Sequence, residues 1–94
     1  MGIKVQPVTI IFIINGVDVA IVADPDNSLM VARDEALFLS NNATRRSLSD
    51  WVIRDERGVT LPPEQRVERF NFENDVRLFL MPFAGAGGAT NKKK

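Results

Sequence analysis

The chain contains no cysteine and no histidine. Those two absences remove thiolate and imidazole nucleophiles, the usual general base, disulfides and the common zinc ligand sets. We therefore expect a protein that is not an enzyme and carries no cofactor of its own. Lysine is scarce and unevenly placed: of the four, three are Lys92, Lys93 and Lys94, and only Lys4 belongs to the body. Charge of one sign does not dominate either, since 12 Lys plus Arg meet 12 Asp plus Glu. Such a balance argues against a nucleic-acid partner. The Ile10–Ile14 run is too short to span a bilayer, and residues 1–7 lack the apolar core of a cleavable signal, so a cytoplasmic, membrane-free protein is the expectation. Met1-Gly2 is followed at position 6 by Gln6, where a myristoylation signal has Ser or Thr.

What is present is a Gly-rich run near the end, Gly85-Ala86-Gly87-Gly88, followed by Ala89-Thr90-Asn91 and the lysines. It follows the last apolar strand and has no element left to connect. Glycine lacks Cβ, so such an arm can enter a narrow channel or lie against another backbone where side chains would clash. A frayed, solubilising terminus is the competing reading. Cutting after Gly88 removes three lysines and leaves nine basic against twelve acidic residues, a net charge of −3.

Ahead of the arm, 94 residues with 45% hydrophobic content suffice for one modest core. Val8–Ile14 is β-branched and aromatic, Asn15-Gly16 is a strong hairpin signal, and Val17–Ala23 returns. A two-residue loop sets Ile14 against Val17, Phe12 against Val19, Ile10 against Ile21 and Val8 against Ala23, all on the core side. The opposite side carries Thr9, Ile11, Ile13, Asp18, Ala20, Val22 and Asp24. Its apolar centre is either a docking patch, a second buried layer or a row of ordinary exposed aliphatics. Asp24–Ser28 breaks the strand, with Ser28 as N-cap of a helix from Leu29 to about Ser40 whose inward face is Leu29, Ala32, Ala36 and Leu39. After a polar connection over 41–47, Trp51–Asp55 reads as a third strand, with Trp51 in the core, and Val59–Leu61 as a short fourth. Pro62-Pro63 stops it. Residues 64–75 are irregular, anchored by Val67, Phe70 and Phe72, and Val76–Met81 forms the last strand, with Pro82 ending it.

Two other glycine readings fail. Gly85–Thr90 lacks the last glycine of a dinucleotide fingerprint, and no Gly-Lys-Ser/Thr phosphate loop exists; neither has a helix after it. Acid pairs Asp24/Asp26 and Asp55/Glu56 fall at turns, where capping or solvation outweighs catalysis or calcium binding.

Hairpin, helix, third strand, short strand, irregular segment and final strand running into Gly87-Gly88 resembles the ubiquitin-like modifiers over residues 8–88. Asp24-Pro25 and Glu73-Asn74-Asp75-Val76-Arg77-Leu78-Phe79-Leu80 are similar to ubiquitin. The longer loop after the helix and Trp51–Gly58 look more like bacterial ubiquitin-like proteins encoded beside activating-enzyme, conjugating-enzyme and peptidase homologues. The resemblance implies an α+β β-grasp fold, a mixed four- to five-stranded sheet on one main helix. It divides the chain into a flexible segment 1–7, a domain 8–83, a conjugation arm 84–88 and a removable extension 89–94. It further implies cleavage between Gly88 and Ala89 by a processing or deconjugating peptidase, and adenylation of the Gly88 carboxylate by an activating-enzyme homologue that uses ATP. Transfer through a conjugating-enzyme homologue to protein targets would follow. Gly87, Gly85 and Ala86 keep the arm slim. Pro82-Phe83-Ala84 replaces the basic, Leu-rich tail of ubiquitin, which points to a partner reading an apolar arm with Phe83. Docking on the outer sheet face would fall on Ile11, Ile13, Val22, Val52 and Phe79. Lys4 is the possible acceptor for self-linkage, unless lysines were lost to prevent it. A sulfur carrier using the same carboxylate and a non-conjugated β-grasp adaptor are the alternatives.

Overall fold

A computed structural model describes residues 6–42 and 47–82. The elements are β1 (Val8–Ile14), β2 (Val17–Ala23), α1 (Leu29–Leu39), a 3₁₀ turn at Leu48–Asp50, β3 (Trp51–Arg54), β4 (Thr60–Leu61), a 3₁₀ turn at Val67–Phe70 and β5 (Val76–Pro82). They form one five-stranded sheet in the order β2-β1-β5-β3-β4, with β1 and β5 parallel at its centre and the other pairs antiparallel.

The hairpin closes as its sequence dictates. Asn15 (φ 52°) and Gly16 (φ 81°) both adopt the left-handed conformation that a two-residue I′ loop requires, and the pairing runs from Ile14 opposite Val17 to Val8 opposite Ala23. Because β5 aligns Val76, Leu78 and Leu80 with Ile10, Phe12 and Ile14, the inward faces of three strands coincide. Ile53 joins them opposite both Leu80 and Leu61. Ile10, Phe12, Leu29, Ala36, Leu37 and Leu78 are fully enclosed, and Trp51 is 4% exposed. Each large side chain buried in this way contributes about 1.5–3 kcal/mol relative to exposure. Val17, expected in the core, is instead exposed, because it lies at the hairpin tip beyond the cover of α1.

α1 differs from its expected face. Leu39 is 58% exposed, whereas Leu37 and the charged Arg33 are buried with Leu29, Ala32 and Ala36. At 3.6 residues per turn Leu39 lies about 80° around from Leu29, just past the enclosed arc, while 29, 32, 33, 36 and 37 follow the i, i+3, i+4, i+7, i+8 pattern. Arg33 tolerates burial because its Nε donates to Asp34 Oδ1 at 2.8 Å and its Nη1 to the Trp51 carbonyl at 3.4 Å.

Ser28 occupies the N-cap position, yet its side chain makes no capping bond. The first helical N–H groups go elsewhere: Leu29 donates to the Gln65 carbonyl and Met30 to the Pro63 carbonyl, each at 2.8 Å. The 62–68 segment thus satisfies the orphan donors of the helix start. Val67 N–H and Glu68 N–H return bonds to the carbonyls of Asn27 and Pro25. At the other end, Asn41 (φ 65°) takes the left-handed position, with Asn41 N–H on the Phe38 carbonyl and Asn42 N–H on the Leu37 carbonyl. This is a Schellman motif with asparagine where glycine is commoner.

β3 ends at Arg54, one residue earlier than expected. Asp55 Oδ1 is taken by the N–H groups of Arg57 and Val59, both at 2.9 Å, turning the chain at once. Val59 is left outside β4. β5 extends one residue beyond Met81, since Pro82 sits opposite Trp51. Within 64–75, expected to be irregular, the Val67–Phe70 turn buries Val67, and the rings of Phe70 and Phe72 stack at 4.9 Å.

Candidate functional site

The strand register that buries one face of the sheet exposes the other, and its side chains follow from the pairing. Ile13 stands beside Asp18 of β2 and Phe79 of β5, and Phe79 beside Arg54 of β3. One row toward β1's start, Ile11 lies between Ala20 and Arg77. Toward the end of β5, Met81 lies beside Val52. Ile13, Phe79, Met81 and Val52 are all half-buried and make a continuous apolar strip across the three inner strands. Half-burial leaves part of their aliphatic and aromatic surface accessible on this face.

One feature of this face was absent from the sequence reading. Arg77 Nη1 and Asp18 Oδ2 approach to 3.7 Å. Since their strands flank β1, the ion pair spans the outer surface of β1 beside Ile11 and Ile13. Both partners are about half exposed, so the pair contributes at most ~1 kcal/mol; its effect is to give the patch a polar border, with Arg54 as a second guanidinium. Met81, which alternates with Phe79 to the same outward side of β5, joins the strip although it was not among the residues expected to dock.

Of the residues proposed for docking, the structure gathers Ile13, Phe79 and Val52 and places Ile11 at their flank. Val22 sits apart, opposite Thr9 on the outermost strand and 69% exposed. Lys4, Phe83, Gly85, Ala86, Gly87, Gly88 and Ala89 lie outside the described residues. Phe83 and the Gly-rich sequence follow directly on β5, which carries Phe79 and Met81 and ends at Pro82 opposite Trp51. Gly88 follows Pro82 by six positions, a maximum reach of about 20 Å.

Among the described residues no group of three or more acidic side chains is arranged to hold a metal ion, and no helix is long and apolar enough to cross a membrane. Asp24 Oδ1 accepts from the Asp26 N–H at 2.9 Å, a turn-capping role like that of Asp55.

The sheet order and single packed helix define a ubiquitin-like β-grasp protein. Solved structures agree. A ubiquitin from Caldiarchaeum subterraneum superimposes with a TM-score of 0.67 at 10% identity, over 82% of this chain and 94% of that one. A de novo designed protein based on ubiquitin gives 0.70 at 15% identity, over 89% and 98%. The ubiquitin-like domain of EccD5 from Mycobacterium xenopi gives 0.64 at 21% identity, over 82% and 94%. In sequence, residues 3–88 match the family described as Protein of Unknown function (DUF2604), and the chain belongs to that family. An uncharacterized protein of Sinorhizobium fredii, y4jI, is 33% identical over 82 residues, which are 87% of this chain. The matched stretch spans 62% of that relative's length.

Proposed function

We propose that this chain is a ubiquitin-like protein modifier, processed after Gly88 and activated at the resulting carboxylate by partner enzymes. The observation that supports the reading concerns β5. This strand contributes Phe79 and Met81 to the outer apolar strip and then leads through Pro82 into the sequence that ends in Gly87-Gly88. A partner that grips the strip has the Gly-rich sequence within about 20 Å of the strand end.

The chemistry is supplied by the partners, in keeping with a chain that has neither thiol nor imidazole. A peptidase hydrolyses the Gly88–Ala89 bond. The freed carboxylate attacks the α-phosphate of ATP and releases pyrophosphate, a cysteine thiolate displaces AMP, and a target nucleophile displaces the thiolate. This protein contributes a tail with few side chains to clash in those active sites and a face by which each enzyme recognises it.

Intact mass of the protein recovered from its native cell tests the reading. The expected result is a free species ending at Gly88 and higher-mass adducts that vanish in Gly88→Ala. Recovery of only the full 94-residue chain under all conditions would refute it in favour of a β-grasp adaptor. A carboxylate replaced by thiocarboxylate, without protein adducts, would establish a sulfur carrier.

A further inference from the structure

Three stretches of chain finish at one end of the sheet. β5 runs parallel to β1 with Leu80 beside Ile14, so Pro82 lies past the end of β1, at the same end as the Asn15-Gly16 turn. One strand spacing and two residue rises put it on the order of 8 Å from Ile14. α1 also finishes here: Leu39 and Asn42 at its C-terminal end face Ile14, Asn15, Val17 and Val19 of the hairpin across a hollow of about 480 Å³. Hollows of roughly 300–1,000 Å³ commonly hold a ligand.

The walls of this hollow are apolar and its rim is amide. Val17 and Leu39 are each 58% exposed, and Val19 is half-buried. Asn15 Nδ2 donates to Asn42 Oδ1 at 3.4 Å, and Asn42 Nδ2 donates to Ser40 Oγ at 2.8 Å. Asn15 Oδ1 and the side-chain amide of Asn41, which also borders the hollow, take no part in that network. A side-chain amide carries both a donor and an acceptor, so it matches the N–H and C=O groups of a peptide backbone. Four positions before Leu39, on the same face of α1, stands Glu35. The charged side chains of β2 and α1 that reach solvent are all acidic: Asp18, Asp34 and Glu35.

The sequence after Pro82 carries the complement of each of these surfaces, in the order in which it meets them. Phe83 comes first, then Gly85-Ala86-Gly87-Gly88 with its nearly bare backbone, and last Lys92-Lys93-Lys94. Lys92 follows Gly88 by four positions, a reach of about 13 Å, against a rise of about 6 Å along the helix from Leu39 to Glu35. We infer that the hollow is a seat for the chain's own arm: the Phe83 ring packs against Val17, Val19 and Leu39, the glycine backbone crosses the asparagines, and the lysines lie against the acidic side of α1. Because Phe83 is joined directly to β5, its effective concentration at the hollow is on the order of millimolar, more than a second copy supplies in dilute solution. A seated arm keeps Phe83 and the Gly88–Ala89 bond from any enzyme until that enzyme displaces it. This consequence rests on the proposed processing after Gly88, whereas the seat itself does not.

The test is NMR of the isotopically labelled full chain. Expected are nuclear Overhauser contacts from the Phe83 ring to the Val17 and Leu39 methyls, and amide exchange at Gly85, Gly87 and Gly88 slowed about tenfold or more from the free-peptide rate, at any protein concentration. Leu39→Arg removes one apolar wall and repels the lysines, so it should return those amides toward the free-peptide rate. Phe83→Ala, and Lys92→Glu with Lys93→Glu and Lys94→Glu, should do the same from the arm's side, without touching the packed domain. Unchanged Trp51 fluorescence checks that each variant is folded. The inference is overturned by free-peptide exchange in the parent, by protection that survives any of these variants unchanged, or by Phe83 contacts to Ile13 and Phe79 of the outer strip instead. Protection that fades on dilution would overturn it in favour of a second copy's arm. Absence of adducts from the cell removes the modifier reading and leaves the seat standing, whereas free-peptide exchange in a chain that is conjugated does the reverse.

Discussion

Arg33 is a buried cation on a helix, and among the described residues its one close anionic partner is the next residue. The guanidinium is 5% exposed and Asp34 33% exposed in their side chains, with Nε and Oδ1 2.8 Å apart. Deleting the carboxylate in Asp34→Ala strands the charge in the core with a single 3.4 Å contact to the Trp51 carbonyl. Breaking a fully buried pair from one side costs about 3–5 kcal/mol, and the partial exposure of Asp34 brings the expectation to about 2 kcal/mol. Arg33→Met removes the charge and keeps most of the volume, so it should lie within about 1 kcal/mol of the parent, in either direction. Urea unfolding followed by fluorescence reads both, because Trp51 is the single tryptophan and is 4% exposed. At about 1–3 kcal/mol per molar urea, the Asp34→Ala midpoint should fall by roughly 1 M while Arg33→Met moves little. The reverse order, Arg33→Met the more damaging and Asp34→Ala neutral, would refute the view that Asp34 neutralises a charge that packing forces inside.

Ile11→Asp combined with Phe79→Asp should leave the core intact and abolish binding to any enzyme or adaptor partner that uses the outer strip; unchanged binding would remove the strip from the proposal. Gly58 (φ +84°) has nothing within 4 Å of an added Cβ, so Gly58→Ala should cost about 1 kcal/mol through backbone strain alone, measurable in the same urea assay. Leu37→Ala, at a fully enclosed position, should cost about 2–5 kcal/mol. Asn74→Ala deletes the Oδ1 acceptor of the Thr9 N–H at 2.9 Å and should cost about 1 kcal/mol, with faster amide exchange at Thr9.

The hairpin was legible because period-two alternation and Asn15-Gly16 specify the same register independently. β5 was legible for a related reason: Pro82 and alternating apolar residues leave one way to place Val76, Leu78 and Leu80. The helix was harder. Its apolar spacing admits either Leu37 or Leu39, and the arc is settled by an arginine that composition classes as polar and that becomes buried only through a contact to β3. The capping of α1 by carbonyls of Pro63 and Gln65 was invisible for the same cause, since those groups are distant in sequence and carry no side-chain signature. Within the candidate site, Ile11, Ile13 and Phe79 could be assigned to one face by alternation. Their neighbours on β5 and β3 could not, because β1 pairs with β5 only through a crossover, and the Arg77–Asp18 pair depends on that pairing.

The choice of basic residue connects the fold with the proposed chemistry. Every lysine in the sequence lies outside residues 6–82, at position 4 or at 92–94, and the cations within the described fold are arginines. Arginine preserves charge and hydrogen bonding to carboxylates, as at Arg33, Arg66 and Arg77, but it stays protonated and does not serve as an acyl acceptor. Lysine in those places would give similar solubility and surface ion pairs of similar small worth. The difference matters to a protein whose own carboxylate is activated: an electrophilic tail tethered within about 20 Å of its domain would find nearby amines first. If the tail is activated as proposed, a fold that solves its electrostatics with arginine alone keeps the carboxylate for other acceptors, and Lys4 is the lysine of the sequence that remains after loss of residues 89–94. An adaptor that never activates its tail has no such reason to exclude lysine, so this distribution favours the modifier reading on chemical grounds separate from the outer strip.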